Sequence, residues 1–313
     1  MCFENETEVT EIYLLGFQSL HNLGPLLFVV LLLLYIAIAG GNLSIIYLVM
    51  TCDNLKIPMF FFLKHLATAD VLVTTSVVPM MLEDILKSNP SISVGGCITQ
   101  LFFFCIFGFV QCFLLAVMSY DRYVDLSNPF QYIVIMNPSF CFLLAFGSWA
   151  LIFSIAFSEF ALIGQFEFCG CSSLDQFFCD YSQVMELPTS DTTIVLWMDF
   201  FVSIFIFSFP LTFILVSYIY IFIAIIKIRS HTGRQKTFST CSSHLTTVCI
   251  YYGTFITIYL VPSDKSLSDL DKYRSLMYTV VTPLINPVVY SLRNHEFKKV
   301  LTKRIKQFFI RKF

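Results

Sequence analysis

Long apolar stretches without a charge recur along the chain, separated by short polar ones. Six of them run Leu26 to Met50, Ile98 to Ser119, Ile133 to Ser158, Phe200 to Ile226, Leu245 to Val261 and Ser275 to Leu292. A seventh, about Pro58 to Leu82, is interrupted by Lys64, His65 and Asp70. At 1.5 Å per residue, roughly 20 residues cross the ~30 Å hydrocarbon layer of a bilayer. Lipid offers no partner to an open sheet edge, so segments of this length form helices. The pattern predicts an all-α membrane protein, a seven-transmembrane helix bundle spanning about 25–50, 58–82, 97–122, 138–162, 194–227, 237–261 and 272–292. Residues 1–24 precede the bundle and 293–313 follow it. Pro79, Pro138, Pro210, Pro283 and Pro287 fall within the spans, so kinks are expected, with the freed carbonyls met by neighbouring groups. Beyond the last span, Phe297, Val300, Leu301, Ile305, Phe308 and Phe309 recur at helical spacing among Lys298, Lys299, Lys303, Arg304 and Lys306. That alternation predicts an amphipathic helix lying on an anionic inner leaflet, with membrane lipid as its partner.

Composition agrees with a bilayer, since 57% hydrophobic and 13% charged residues leave too little polar surface to cover a soluble globule of 313 residues. Nucleic acid is not an expected partner. Met1 to Thr7 is acidic and lacks the basic start of a cleavable signal peptide, which leaves insertion to the first span. The net charge of -2 hides a strong asymmetry. With the N-terminus outside, the inner segments carry fifteen lysines and arginines and the outer ones four, Lys87, Lys265, Lys272 and Arg274. That excess fixes the expected orientation. Asn5-Glu6-Thr7 is then a glycosylation sequon at Asn5 on the outer side.

Met118-Ser119-Tyr120-Asp121-Arg122-Tyr123 closes the third apolar run, with Asp125 and Asn128-Pro129 just beyond. Taken alone it reads as an interfacial anchor, because arginines near helix ends snorkel to the headgroups. Asp70 sits mid-span, where a charge costs on the order of 2.5–3.5 kcal/mol, so it must face polar partners, with Asn42 and Asn286 as candidates. A packing network and a cation site, a sodium ion at Asp70, are both open readings. Glu159 and Asp199 lie nearer the outer ends, within reach of water. Among the eleven cysteines, Cys97, Cys169, Cys171 and Cys179 fall in the oxidising outer compartment. A Cys97–Cys179 bridge would tie the long outer loop across the bundle mouth, and metal binding by the Cys169-x-Cys171 pair is the alternative.

Absences narrow the chemistry. The seventh span holds no lysine for a retinal Schiff base, and the third holds no acid to receive an amine. No zinc-protease, phosphate-loop or nucleophile motif is present, so neither an enzyme nor a cofactor is expected. Phe102, Phe103, Phe104, Phe107 and Gly108 with Tyr251, Tyr252, Phe255, Ile256 and Tyr259 suit either lipid and packing contacts or a pocket for a small lipophilic ligand.

Several stretches together resemble the olfactory (odorant) receptors among the rhodopsin-like G-protein-coupled receptors. They are Gly41-Asn42, Pro58-Met59-Phe60-Phe61-Phe62-Leu63, Leu114 to Val124 around Asp121-Arg122-Tyr123, Lys236 to Leu245, and Pro283-Leu284-Ile285-Asn286-Pro287 through Tyr290-Ser291-Leu292-Arg293-Asn294. The resemblance implies an odorant pocket drawn from Phe104, Cys105, Gly108, Phe109, Val202, Ile206, Tyr252, Phe255, Ile256 and Tyr259. It implies that Asp121, Arg122, Tyr123, Tyr218, His244, Asn286 and Tyr290 serve activation, with Arg122 paired to Asp121 at rest. The implied partners are a small lipophilic odorant and a stimulatory, olfactory-type heterotrimeric G protein that raises cyclic AMP, in the plasma membrane of sensory-neuron cilia. A non-olfactory chemosensor, and a proton-coupled transporter using Asp70, Glu159 and Asp199, are the competing readings. The chain departs from the family at Asp125-Leu126-Ser127-Asn128, which sets an extra negative charge beside the G-protein surface. It also has Thr189 where a third loop cysteine is usual, leaving Cys169 to pair with Cys171, with Cys2 or with nothing.

Overall fold

A computed structural model describes residues 9–16, 23–87, 90–169, 173–228, 230–259, 268–293 and 295–312. Within it, β1 (Glu11–Leu14) leads into the long helix α1 (Gly24–Thr51), and a 3-10 turn at Asp53–Leu55 connects to α2 (Pro58–Leu86). A short β2 (Ser91–Ser93) precedes α3 (Val94–Ser127), and the brief α4 (Tyr132–Ile135) leads to α5 (Pro138–Ile163). The long connection after α5 holds β3 (Ser173–Leu174) and α6 (Tyr181–Val184), followed by α7 (Thr193–Lys227) and α8 (His231–Tyr259). The chain closes with α9 (Ser268–Leu276), a π-helical turn over Met277–Val281, α10 (Thr282–Arg293) and α11 (His295–Lys312). Among the described residues, α1, α2, α3, α5 and α7 are long and apolar enough to cross a membrane.

Local sequence explains where these helices begin. Pro58 and Pro138 stand in the first turns of α2 and α5, where a missing N–H costs nothing. Ser93 and Asn137 cap α3 and α5 by accepting from the backbone N–H groups of Gly96 and Phe140. The central element is α3, from which Leu101, Val110, Cys112, Leu114, Leu115 and Met118 project into the core. By contrast α5 and α7 turn Phe142, Phe146, Phe157, Phe201 and Phe209 outward, as helices facing lipid do. On α11, Phe297 is buried against Phe60 of α2, their ring centroids 6.2 Å apart, while Lys298 and Lys299 are exposed.

Two prolines in the last helix account for the polar contacts around it. Pro287 cannot donate to the carbonyl of Pro283, and Asn42 Nδ2 of α1 supplies that hydrogen bond at 3.1 Å. Gly41 makes the approach possible, since a Cβ there would stand 3.1 Å from both Cβ and Cγ of Pro287. Asn42 therefore serves the backbone rather than Asp70. Asp70 accepts instead from Asn286 Nδ2 at 2.8 Å, and both side chains are buried.

One feature corrects the all-helical expectation. A small sheet of order β2-β1-β3 lies at the end of the bundle where the N-terminal segment packs, β1 pairing antiparallel with β2 (Ile12 opposite Ile92) and parallel with β3 (Leu14 opposite Leu174). It folds because Ile12 and Leu14 alternate with Glu11 and Tyr13, placing one apolar face on the core. Cys97 and Cys179 form a disulfide that anchors α3 to the same loop. Cys169 is also disulfide-bonded, its partner lying outside the described residues, as do Cys2, Cys171 and the sequon at Asn5.

Candidate functional site

Two regions of the bundle carry the residues singled out above. At the C-terminal end of α3, Arg122 is buried on the last turns of the helix, which continue past it to Ser127. Its Nε and Nη2 donate to Asp121 Oδ2 at 3.0 and 2.5 Å, and its Nη1 donates to Asp125 Oδ2 at 3.2 Å. Asp121 Oδ1 accepts in turn from the Tyr132 hydroxyl of α4 at 2.8 Å. Burial, reinforced by the neighbouring Asp121 carboxylate, pushes the Tyr132 hydroxyl above its ordinary range, so it stays a proton donor. The guanidinium is thus held by two carboxylates of its own helix, an arrangement its three-residue spacing permits and its neighbours complete. Tyr123 is half-buried and packs against Tyr220 of α7.

Beside this cluster, His244 of α8 is buried and bridges two helices. The carbonyl of Leu115 can only accept, so Nε2 donates to it at 3.1 Å. In the neutral ring Nδ1 then accepts from the Tyr218 hydroxyl of α7 at 2.7 Å. Tyr218 also lies 3.1 Å from the carbonyl of Cys241, which ties the C-terminal part of α7 to the N-terminal part of α8. Tyr290 is fully buried on α10.

Toward the N-terminal half of α3, Phe104, Cys105, Gly108, Ile206, Tyr252 and Phe255 are buried, and Phe109 and Val202 are half-buried. Rings join them across helices: Phe109 meets Phe207 at 5.6 Å, Phe207 meets Phe255 at 4.5 Å, and Phe104 meets Phe178 of the α5–α7 loop at 5.1 Å. Ile256 departs from the expectation. It is 46% exposed because one helical step of about 100° past the inward Phe255 turns it to the outside. The side chain of Tyr259 lies outside the described residues.

Two contributors, Tyr278 and Gln100, escaped the sequence pattern, and a third, Tyr251, was expected as a pocket or packing aromatic but not in the contacts it makes. Tyr278, on the π-helical turn, packs edge-on against Phe104 and Phe255 and fills the space left by Gly108, where a Cβ would stand 2.2 Å from its hydroxyl. Tyr251 donates to the carbonyl of Gly108 at 2.8 Å and lies 3.0 Å from Cys112 Sγ. Gln100 donates to the carbonyl of Ser76 and accepts from the N–H of Cys179, holding the α5–α7 loop down beside the disulfide. No periodicity marks these residues, because each acts through a neighbour distant in sequence. A further correction concerns Glu159, expected within reach of water and found only 6% exposed. Among the described residues no group of three metal-ligating side chains comes together.

The described residues thus set an aromatic-walled interior in one half of the bundle and a carboxylate-clamped arginine at the opposite end. A family model described as olfactory receptor matches residues 31–308. Olfactory receptor 10A7 of Homo sapiens is 42% identical over 307 residues, covering 98% of this chain and 97% of its own length. Olfactory receptor 5P55 of Mus musculus is 43% identical over 311 residues, covering 98% and 99%. Olfactory receptor 11L1 of Homo sapiens is 41% identical over 300 residues, covering 96% and 93%. Identity of this order along nearly the whole length makes the chain a member of the olfactory receptor family, a G-protein-coupled receptor and not an enzyme.

Proposed function

We propose that this receptor binds a small lipophilic odorant within the outer half of a seven-helix bundle and activates a stimulatory heterotrimeric G protein, raising cyclic AMP. The observation that carries this reading is the Arg122 cluster. An arginine buried at the inner end of the central helix and held by Asp121 and Asp125 is a resting arrangement with a defined alternative, release toward the cytoplasm. The Tyr218–His244 pair couples α7 and α8 at the same depth, so displacement of α8 breaks that contact as the arginine comes free. An odorant drives the change only through tighter binding to the released state, and the aromatic chain Phe109–Phe207–Phe255 links the pocket walls on α3, α7 and α8. In this reading α8 and the α9–α10 unit are the sixth and seventh spans. The fifteen-to-four charge asymmetry supports an outer N-terminus, and the basic face of α11 supports an inner-leaflet position for that helix. Membership of the olfactory receptor family supports placement in sensory-neuron cilia.

The test is cyclic AMP accumulation in cells bearing surface-verified receptor, exposed to a broad odorant panel beside Arg122→Ala. An odorant response in the parent receptor that is absent from Arg122→Ala is expected. No response from surface-expressed parent receptor coexpressed with the stimulatory G protein would overturn the coupling assignment.

A further inference from the structure

Glu159 near the outer end of α5 is a buried carboxylate, 6% exposed, whose Oε1 has no hydrogen-bond partner among the described residues. The groups that interact with it come from three other elements: Tyr181 of α6, Asp199 of α7 and Cys105 of α3. None of them answers its charge. Asp199 is itself an acid, occupied only by the Ser203 hydroxyl one turn on, at 3.3 Å. The Tyr181 hydroxyl is the donor that comes nearest to answering Glu159, yet it falls short of hydrogen-bond geometry, so it and Glu159 Oε1 both stay buried and open. Neither carboxylate has a lysine or arginine partner among the described residues.

Two acids facing one inter-helical space with no cation is an arrangement a protein does not keep for stability. An unpartnered buried oxygen loses its hydration, and like charges at close range repel. A ligand that brings a positive charge and several N–H donors reverses both effects at once. The surroundings suit the remainder of such a ligand, because Cys105 is followed one turn on by the half-buried Phe109, and Asp199 one turn on by Val202 and two turns on by the buried Ile206. Aromatic faces beside an ammonium add a favourable electrostatic contact of their own.

We infer that Glu159 and Asp199 form a recognition site for the protonated amine of a small organic ligand whose apolar body lies against Phe109 and Ile206. The inference rests on the odorant-binding reading above and specifies the ligand's chemical class. It also revises the expectation from the third helix, which has no acid of its own: here α5 and α7 supply the counter-charge.

Binding is tested separately from signalling, on purified full-length receptor in phosphatidylcholine nanodiscs, by the ligand dependence of thermal unfolding. The probes are two size-matched pairs, phenethylamine with phenethyl alcohol and cyclohexylamine with cyclohexanol. The amine of each pair is expected to bind the parent receptor on the order of tenfold to a hundredfold more tightly than its alcohol, the range of a charge-assisted hydrogen bond. Glu159→Gln keeps the shape and the hydrogen-bonding capacity of the side chain while removing the charge, and it should bind the two members of each pair alike. Should that variant fail to fold, Asp199→Asn at the more exposed acid carries the test, with a severalfold loss of amine affinity expected. Equal binding of amine and alcohol by the parent, or an amine preference undiminished in the folded variants, overturns the site. G-protein nucleotide exchange measured alongside distinguishes the two readings. Amine binding without exchange refutes the coupling assignment alone, and exchange driven equally by amine and alcohol refutes the carboxylate site alone.

Discussion

At the scale of single residues, Asp125 has the most direct consequence. It replaces a neutral position of the family pattern, and its carboxylate lies on Arg122 Nη1 at 3.2 Å, a second acid on a guanidinium that Asp121 already holds. With the Asp125 side chain 40% exposed, this contact is worth about 0.5–1 kcal/mol. Asp125→Asn should therefore raise ligand-free nucleotide exchange about two- to fivefold, as measured with membranes matched for receptor content. Unchanged or lower basal exchange would show that Asp125 does not restrain the arginine. The acid's presence was plain in the sequence, and an effect on the G-protein surface was the expectation drawn from it. Its engagement with Arg122 depended on the helix continuing to Ser127 rather than ending at the arginine.

Between elements, the packing of α1 against α10 follows from backbone chemistry. Pro287 leaves the carbonyl of Pro283 without its helical donor, Asn42 fills the vacancy, and Gly41 permits the approach. The Gly41-Asn42 pair and the Asn286-Pro287 pair, read along the chain as two separate motifs, are the two sides of one contact. Asn42→Ala should destabilise the receptor by roughly 1–3 kcal/mol, the cost of an unmet buried carbonyl, with no direct loss of ligand contacts. Thermal unfolding of the detergent-solubilised protein measures this, and an unchanged midpoint would refute the account. Pro283 likewise brings no N–H to the turn before it, where the Thr74 hydroxyl of α2 approaches the carbonyl of Thr279 to 3.5 Å. The π-helical turn at Met277–Val281 lies just before that proline and swings Tyr278 toward Gly108. Helical periodicity assumes a uniform step of about 100°, so a residue reached through a π turn is invisible to it.

For the molecule as a whole, the cap over the N-terminal end of α3 is the feature that joins distant segments. The β2-β1-β3 sheet, the Gln100 contact and the Cys97–Cys179 disulfide bind the N-terminal strand, the α2–α3 connection and the long α5–α7 loop into one lid over the bundle. The two cysteines lie 82 residues apart, and closing a loop of that length contributes about 4–5 kcal/mol in the chain-entropy account, an upper figure where a membrane already restrains the chain. Cys97→Ser should lower surface expression several-fold and the unfolding temperature with it, as read by flow cytometry of an N-terminal tag together with thermal unfolding. Parent-like values for both would show that the sheet alone suffices.

Hydrophobic periodicity, charge asymmetry and a handful of motifs determined the membrane class, the helices and the family, because each is a property of consecutive residues that any helix in lipid must display. Orientation of side chains within those helices was legible where the step was regular, as for Phe104, Gly108, Ile206 and Phe255, and failed at Ile256, one step too far round. What tertiary structure alone decided are the partnerships: Asn286 rather than Asn42 for Asp70, Pro283 for Asn42, Asp125 beside Arg122, Lys272 on Asp175 at 2.6 Å, and the burial of Glu159 away from the water it was expected to meet. The small sheet belongs with these, since a four-residue strand is stable only when the segments beside it come from elsewhere in the chain. A hydrogen bond or ion pair has a range of a few ångströms, and no sequence spacing records which two helices will bring their groups that close.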